Sequence, residues 1–297
     1  MKNYKKKVSV IMGIYNQRDE NALLNAVNSI LKQSLCDLEF LIYDDGSEYE
    51  VAERILQLSD LDNRIVVMGK SINHGLAFSL NRCIEKATGE YIARMDADDI
   101  SMPCRLEKQV NFLDTHPEYM WCGCNAILFD ENGICGERKM PKIPSKNDYL
   151  KYSPFIHPSV VYRAEIFEKM GGYCVASQTL RCEDYELFMR FHKAGYRGYN
   201  IQETLFQYRE NTESFKRRSF TARINEAKIR YQNFKDMGIL LPKGWFYVLR
   251  PIIAGFVPHR ILLWLKRNEA KETQHENKTN KPKDGVLQTH IARETNL

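Results

Sequence analysis

Residues 89–99 read Gly-Glu-Tyr-Ile-Ala-Arg-Met-Asp-Ala-Asp-Asp, GEYIARMDADD. A short apolar run, Tyr91 to Ala93, leads into three carboxylates, Asp96, Asp98 and Asp99, within four residues. Like charges this close repel and gain nothing from burial. The stretch therefore reads as a buried strand whose carboxyl end presents acids that hold something.

The residues before it supply the sheet for such a strand. Val8-Ser9-Val10-Ile11-Met12 is an apolar, β-branched run suited to a parallel strand, ending at Gly13-Ile14-Tyr15-Asn16. Leu23, Val27, Ile30 and Leu31 then share a helical face, Leu38 to Tyr43 forms a second strand, and Asp44-Asp45-Gly46-Ser47 turns the chain. A helix around Val51, Ile55 and Leu58, a strand from Arg64 to Met68, and a helix through Leu76, Leu80, Cys83 and Ala87 follow, the last closed by Gly89. Alternating strands and helices are the pattern of βαβ units on a parallel sheet, an α/β fold.

Ligands of such sheets sit beyond the carboxyl ends of the strands. Three polar clusters occupy that edge: Tyr15-Asn16, Asp44-Asp45 and Asp96 to Asp99. No G-x-G-x-x-G or G-x-x-x-x-G-K-[ST] follows the first strand, which argues against a dinucleotide fold and a P-loop. Acid pairs also occur simply as turns and helix caps, and Asp44-Asp45 alone is open to that reading. The alternating acids of Asp96-Ala97-Asp98 fit it poorly. One carboxylate of an Asp-x-Asp takes a hard divalent cation, Mg²⁺ or Mn²⁺, beside a diphosphate while the other reaches a sugar hydroxyl. Without cation and nucleotide, this loop is expected to be poorly ordered or to splay its carboxylates toward water, with Asp99 steering the turn into the helix after Pro103.

Past Pro103 the pattern loosens. A helix through Leu106, Val110 and Leu113, a strand from Met120 to Phe129, and a hairpin turn at Asp130 to Gly133 are expected. Phe155 to Tyr162, containing His157-Pro158-Ser159, reads as a further strand, and Glu183 to Ala194 as a helix whose opening acids suit an N-terminal cap. His157 is open between an acceptor-side role and a structural histidine. Lys216, Arg217 and Arg218 are open between a solvated face, a diphosphate clamp and a lipid-phosphate contact.

Composition limits the classes. The 297 residues are 43% hydrophobic, enough for a substantial core, and a net charge of +5 with the basic residues spread out argues against nucleic-acid binding. The lysines of the first seven residues precede an apolar run too short for a signal peptide and lacking a cleavage site. The eight cysteines form no C-x-x-C pair, read as reduced thiols of a cytoplasmic protein, and give Cys122, Cys124 and Cys135 no common zinc spacing. From Trp245 to Leu265 the chain is strongly apolar but interrupted by Arg250, Pro251, Pro258, His259 and Arg260. That composition favours a segment lying in the membrane interface; a spanning helix and a packed helix pair are the alternatives.

Taken in order and spacing, VSVIMGIYN (8–16), the acid pair in DDGS (44–47), Asn73-His74-Gly75, GEYIARMDADD (89–99) and Glu183-Asp184 resemble the family 2 inverting glycosyltransferases with the GT-A fold. The resemblance covers residues 7–220. Within the family it is nearest to bacterial exopolysaccharide, biofilm-matrix and capsule enzymes, through Gly195 to Asn200 and Phe215 to Thr221. It implies a Rossmann-like nucleotide-binding half with a mixed central sheet flanked by helices (7–100) and an acceptor half (101–220). C-terminal helices (221–265) and a disordered polar tail (266–297) complete the expected organisation.

The resemblance also implies roles. Tyr15 stacks on the base, Asp45 accepts the imide hydrogen bond that favours uracil, Asp96 contacts ribose, Asp98 ligates Mn²⁺ or Mg²⁺, and Asp184 is the general base. Asn16, Asn73 and Gly75 fall on the nucleotide side, and His157 and Glu183 on the acceptor side. Many members carry an arginine near Asn81, where this chain has Leu80. The implied activity is transfer of a sugar from a nucleotide-sugar, a UDP-sugar, to a lipid-linked or growing polysaccharide at the inner face of the cell membrane. The alternatives are an interaction protein that uses the fold to bind a partner such as a flagellar rotor component, and a nucleotidyltransferase.

Overall fold

The carboxyl ends of three neighbouring strands create the edge on which the acids stand. In the computed structural model, which describes residues 4–70, 72–210 and 220–256, β1 (Lys6–Ile14) pairs in parallel with β2 (Leu38–Asp45) and β4 (Gly89–Arg94), and β2 with β3 (Ile65–Lys70). Ile14 lies opposite Asp44 and Ile11 opposite Arg94, so the loops leaving β1, β2 and β4 emerge together.

Alternate residues of a strand point to opposite faces, and β1 uses both. Val8, Val10 and Met12 pack into one core with Val27 and Ile30 of α1 (Glu20–Leu31), Ile55 of α2 (Tyr49–Gln57) and Val110 of α4 (Arg105–Thr115). Ile11 joins the other core with Leu80 and Cys83 of α3 (Leu76–Lys86) and with Phe188 and Phe191 of α6 (Glu183–Lys193). Helices therefore cover both faces of the sheet. At Gly89 an added Cβ would lie 2.4 Å from the Ser9 amide nitrogen, which is why the chain enters β4 through glycine.

Beyond β4 the sheet becomes mixed. Its order is β3-β2-β1-β4-β8-β6-β9-β5, with β7 on β6. The later strands are β5 (Ile100–Ser101), β6 (Trp121–Asp130), β7 (Gly133–Arg138), β8 (Val161–Arg163) and β9 (Gly198–Arg209). β8 is antiparallel to both β4 and β6, while β9 runs parallel to β6. A short α5 (Glu165–Met170) follows β8. The strand expected over Phe155 to Tyr162 is confined to β8. Pro158 has no N–H to give a ladder, and His157–Ser159 forms a 3-10 turn closed by Ser159 Oγ donating to the Ile156 carbonyl at 2.8 Å.

Trp121 anchors this half. It is fully buried, with ring centroids 5.6 Å from Phe155, 5.7 Å from Phe191 and 6.0 Å from Phe188. Trp121→Ala is expected to lower stability by about 3–5 kcal/mol, measured by denaturant unfolding.

The C-terminal helices α7 (Phe220–Asp236) and α8 (Trp245–Phe256) follow, joined through a π turn at Leu240–Gly244. Ala227, Ile229, Phe234 and Val248 bury into the second core, and Arg230, paired with Glu226, donates to the Leu150 carbonyl at 2.8 Å. The described residues up to Phe256 form one compact unit. No helix among the described residues is long and apolar enough to cross a membrane. The basic triplet Lys216 to Arg218, the latter part of the apolar stretch (257–265) and the tail (266–297) lie outside the described residues.

Candidate active site

Side-chain to backbone bonds stitch the expected loops into one surface. Asn16, at φ 50°, accepts on its Oδ1 from the Glu48 amide at 2.8 Å and donates its own amide to Ser47 Oγ at 2.9 Å, tying the β1 loop to the β2 loop. Asparagine tolerates this left-handed backbone because its short amide bonds locally. Gln17 donates to the Ala97 carbonyl at 3.4 Å, joining the β1 loop to the acids after β4. Tyr15, just before this turn, is about half exposed (55%).

Asp45 is nearly fully buried and staples the third loop. Its two carboxylate oxygens accept from the amides of His74 (3.0 Å) and Gly75 (2.7 Å). Each oxygen retains a lone pair for one further donor. Gly75 has φ +92° at the start of α3, a conformation L side chains rarely adopt, so glycine is required there. Asn73 is exposed beside it. Leu80, the departure from the family pattern, is buried in the core; the adjacent Asn81 exchanges two hydrogen bonds with the Tyr173 backbone, at 2.8 and 2.9 Å.

The acid loop is not splayed toward water. Asp99 is buried; its Oδ1 accepts from the Arg209 amide at 2.8 Å, and its Oδ2 finds no partner. It therefore ties the loop to the end of β9 rather than steering it into α4, whose start receives no side-chain cap. Asp96 is held by Arg94, a guanidinium with no exposed surface, at 2.5 Å. Burial, reinforced by Asp96, pushes the Asp98 carboxyl up to about 6, and burial with Asp96 and Asp98 holds the Asp99 carboxyl well above its ordinary range. Asp98 and Asp99 are thus the two carboxyls of the loop whose ionisation burial disfavours.

On the other side, Glu183 and Asp184 occupy the first turn of α6, where the helix dipole favours negative charge, although neither caps it. Glu183 is buried and lines a cavity of about 190 Å³ with His74, Gly75, Ala176, Thr179 and Leu180. The nucleotide-side loop and the predicted acceptor side thus share one cleft. Asp184 acts electrostatically on Tyr162 and Tyr173, and the Tyr173 hydroxyl meets His157 Nε2 at 2.7 Å. Burial and the Arg94 charge hold His157 well below its ordinary range, so the ring is neutral.

Residues 9–171 match the family description "Glycosyl transferase family 2". The chain belongs to glycosyl transferase family 2. A relative in Bacillus subtilis, the "Putative glycosyltransferase EpsE", is 40% identical over 86% of this chain and 91% of its own. An Escherichia coli protein named UDP-Gal:alpha-D-GlcNAc-diphosphoundecaprenol beta-1,3-galactosyltransferase is 30% identical over 77% of this chain and 84% of its own. S. aureus TarS 1-349, solved in complex with UDP-GlcNAc, matches at a TM-score of 0.64 over 86% of this chain and 77% of that one, at 17% identity, which shows a shared fold.

A glycosyltransferase with the GT-A architecture can accommodate a divalent cation here. The observation that bears on fit is a partly buried Asp98 carboxyl raised toward neutrality beside a buried, unpartnered Asp99 oxygen, an oxygen-only donor set suited to Mg²⁺ or Mn²⁺. Among the described residues no three His, Cys, Asp or Glu side chains are grouped so as to hold a metal ion by themselves. One or two carboxylates completed by diphosphate oxygens is the arrangement Mg²⁺ ordinarily takes.

Three residues of this glycosyltransferase site escaped the sequence reading. Arg94 was read only as the end of a strand, yet its burial beside two acids signals a structural counter-charge. Tyr173 and Arg209 lie far along the chain from the residues they hold.

Proposed function

We propose that the protein is an inverting, metal-dependent glycosyltransferase that moves a sugar from a UDP-sugar to a lipid-linked saccharide during exopolysaccharide or O-antigen assembly. The observation that carries the reading is the convergence of the loops after β1, β2 and β4, through Asn16 to Glu48, Gln17 to Ala97 and Asp45 to the 73–75 loop, with Glu183 at the start of α6 sharing a cavity with His74 and Gly75. The uridine and the diphosphoundecaprenol acceptor in the name of the Escherichia coli relative support the donor and the acceptor class.

Tyr15 stacks on the uracil, and Asp45 accepts the imide N–H on a remaining lone pair while fixing the loop of Asn73 and Gly75 around the base. Asn16 holds that wall in place. Asp96, oriented by Arg94, receives the ribose hydroxyl. Asp98 is the cation ligand; when bound, Mg²⁺ or Mn²⁺ supplies positive charge to the departing diphosphate. Asp184 removes the proton of the acceptor hydroxyl as its oxygen attacks the anomeric carbon, and the bond to the diphosphate breaks with its electron pair leaving on UDP. A single displacement with one base inverts configuration. Glu183 and the neutral His157–Tyr173 pair form the acceptor wall. The acceptor's lipid would place the enzyme at the inner face of the membrane.

A thermal-shift panel with UDP-, GDP- and dTDP-sugars in the presence of Mn²⁺ tests the donor. UDP-sugars are expected to raise Tm and the others not, and no response to any of them would remove the reading.

A further inference from the structure

The second cavity, about 500 Å³, lies away from the residues of the catalytic cleft, between the segment leaving β7 and the start of α8. Lys139, Lys151, Lys243, Tyr152 and Tyr247 line it. Its one carboxylate, Asp148, is committed to the amide and hydroxyl of Ser145, both at 2.7 Å. Lys139 pairs with Glu137 at 3.5 Å, whereas no carboxylate reaches Lys151 or Lys243 among the described residues.

α8 flanks this cavity and is strongly two-sided. Val248 and Pro251 face the protein, while Trp245, Phe246, Leu249, Ile253 and Phe256 are between 43% and 75% exposed. At about 100° per residue these five fall on one stripe opposite the buried face; Arg250 lies along the edge nearest the cavity and Lys243 in the turn just before the helix. Arg250 reaches the Lys151 carbonyl at 3.4 Å. α7 extends the stripe: Tyr231 packs on Trp245 at 5.4 Å and Phe220 on Phe256 at 5.5 Å.

Charge decides what covers this face. No acidic residue occurs between Asp236 and Glu269 in the sequence. A second copy docking face to face would bring two cationic rims together, and the segment that continues directly from Phe256 carries His259, Arg260, Lys266 and Arg267 before its first acid, Glu269. Exposed aromatics beside cations, with no acid, match the boundary of an anionic bilayer.

We propose that the α7–α8 face docks on an anionic phospholipid bilayer, with the α8 stripe in the boundary between headgroups and acyl chains and the lysine-lined cavity receiving lipid phosphate. The proposal extends the reading of a lipid-borne acceptor, but its readout needs neither donor nor acceptor, so its failure leaves sugar transfer standing and the reverse.

Flotation of the full chain with vesicles tests it. Binding is expected to vesicles of phosphatidylcholine mixed with phosphatidylglycerol and not to phosphatidylcholine alone. Phe246→Glu combined with Ile253→Glu should weaken binding at least about tenfold with Tm unchanged, since both side chains already face solvent. Lys151→Gln and Lys243→Gln should each weaken it about fivefold and reduce its salt dependence. Inorganic phosphate at matched ionic strength should leave vesicle binding unchanged; displacement by it would make the cavity a site for soluble phosphate and overturn the lipid assignment. Equal binding to both vesicle types, or a dimer that Phe246→Glu splits without any vesicle binding, would overturn the proposal as well.

Discussion

Asp184→Asn is expected to lower sugar transfer by about 10² to 10⁴ while leaving UDP and Mn²⁺ binding within about a factor of two of the parent. Asparagine keeps the shape of the side chain in the first turn of α6 and the contacts around it, but its amide cannot take up a proton. The acceptor hydroxyl would then have to attack without losing its proton, which removes a stabilisation present only in the transition state. The kinetic signature is a fall in kcat at nearly constant donor affinity. Steady-state transfer, read as UDP release, and a thermal shift with UDP and Mn²⁺ separate the two quantities. Full activity in the variant would sink the assignment of the base. Unchanged binding with lost transfer would also distinguish the enzyme from an interaction protein in which the cleft serves only to hold a fold together.

Why some of this was legible in the sequence and some not is a matter of range. β1, β2 and β4 announce themselves because each is a short apolar run ending in polar residues, and their loops sit on one edge by the geometry of parallel βαβ units alone. Asp45 and the Asp96–Asp99 loop therefore fall on that edge by pattern alone, and the register of β1 with β2 and β4 puts their loops side by side. The second half has no such rule. β9 joins β6 as a parallel neighbour with Gly198 opposite Trp121, a pairing between distant segments that no local pattern encodes. His157 was taken as part of a strand because Phe155, Ile156 and Val160 are apolar; their burial is real, but Pro158 cannot serve a ladder and the chain turns instead. Arg94 illustrates the limit most clearly. A charged residue ending an apolar strand looks like an exit to solvent, whereas here it is enclosed and its cost is offset by Asp96. The acid loop was expected to splay for want of a cation, and Arg94 and the Arg209 amide are what hold it in place.

Replacing the proposed ligand should separate stability from binding in opposite directions. Burial and Asp96 raise the Asp98 carboxyl from its ordinary 3.8 to about 6. An acid raised in the folded state binds its proton more tightly there than in the unfolded chain, so the metal-free protein loses stability as pH climbs from about 4 to about 6, and the loss is complete above that. Its size is on the order of 3 kcal/mol. Asp98→Asn removes this penalty, so without metal the variant should melt higher than the parent at pH 7.5 and exceed it by about half as much at pH 5. Adding Mn²⁺ with UDP should reverse the order at pH 7.5: the parent gains, because its ionised carboxylate has an oxygen for the cation, and the variant does not. Melting temperatures of both proteins at the two pH values, with and without Mn²⁺ and UDP, give every term of this comparison. Equal gains from Mn²⁺ and UDP in parent and variant would take the ligand role from Asp98 and leave Asp99, with its unpartnered Oδ2, as the next residue to change. Because Asp99 also ties the loop to β9 through the Arg209 amide, Asp99→Ala, which removes that acceptor, is expected to cost stability at both pH values, a signature that Asp98→Asn does not share.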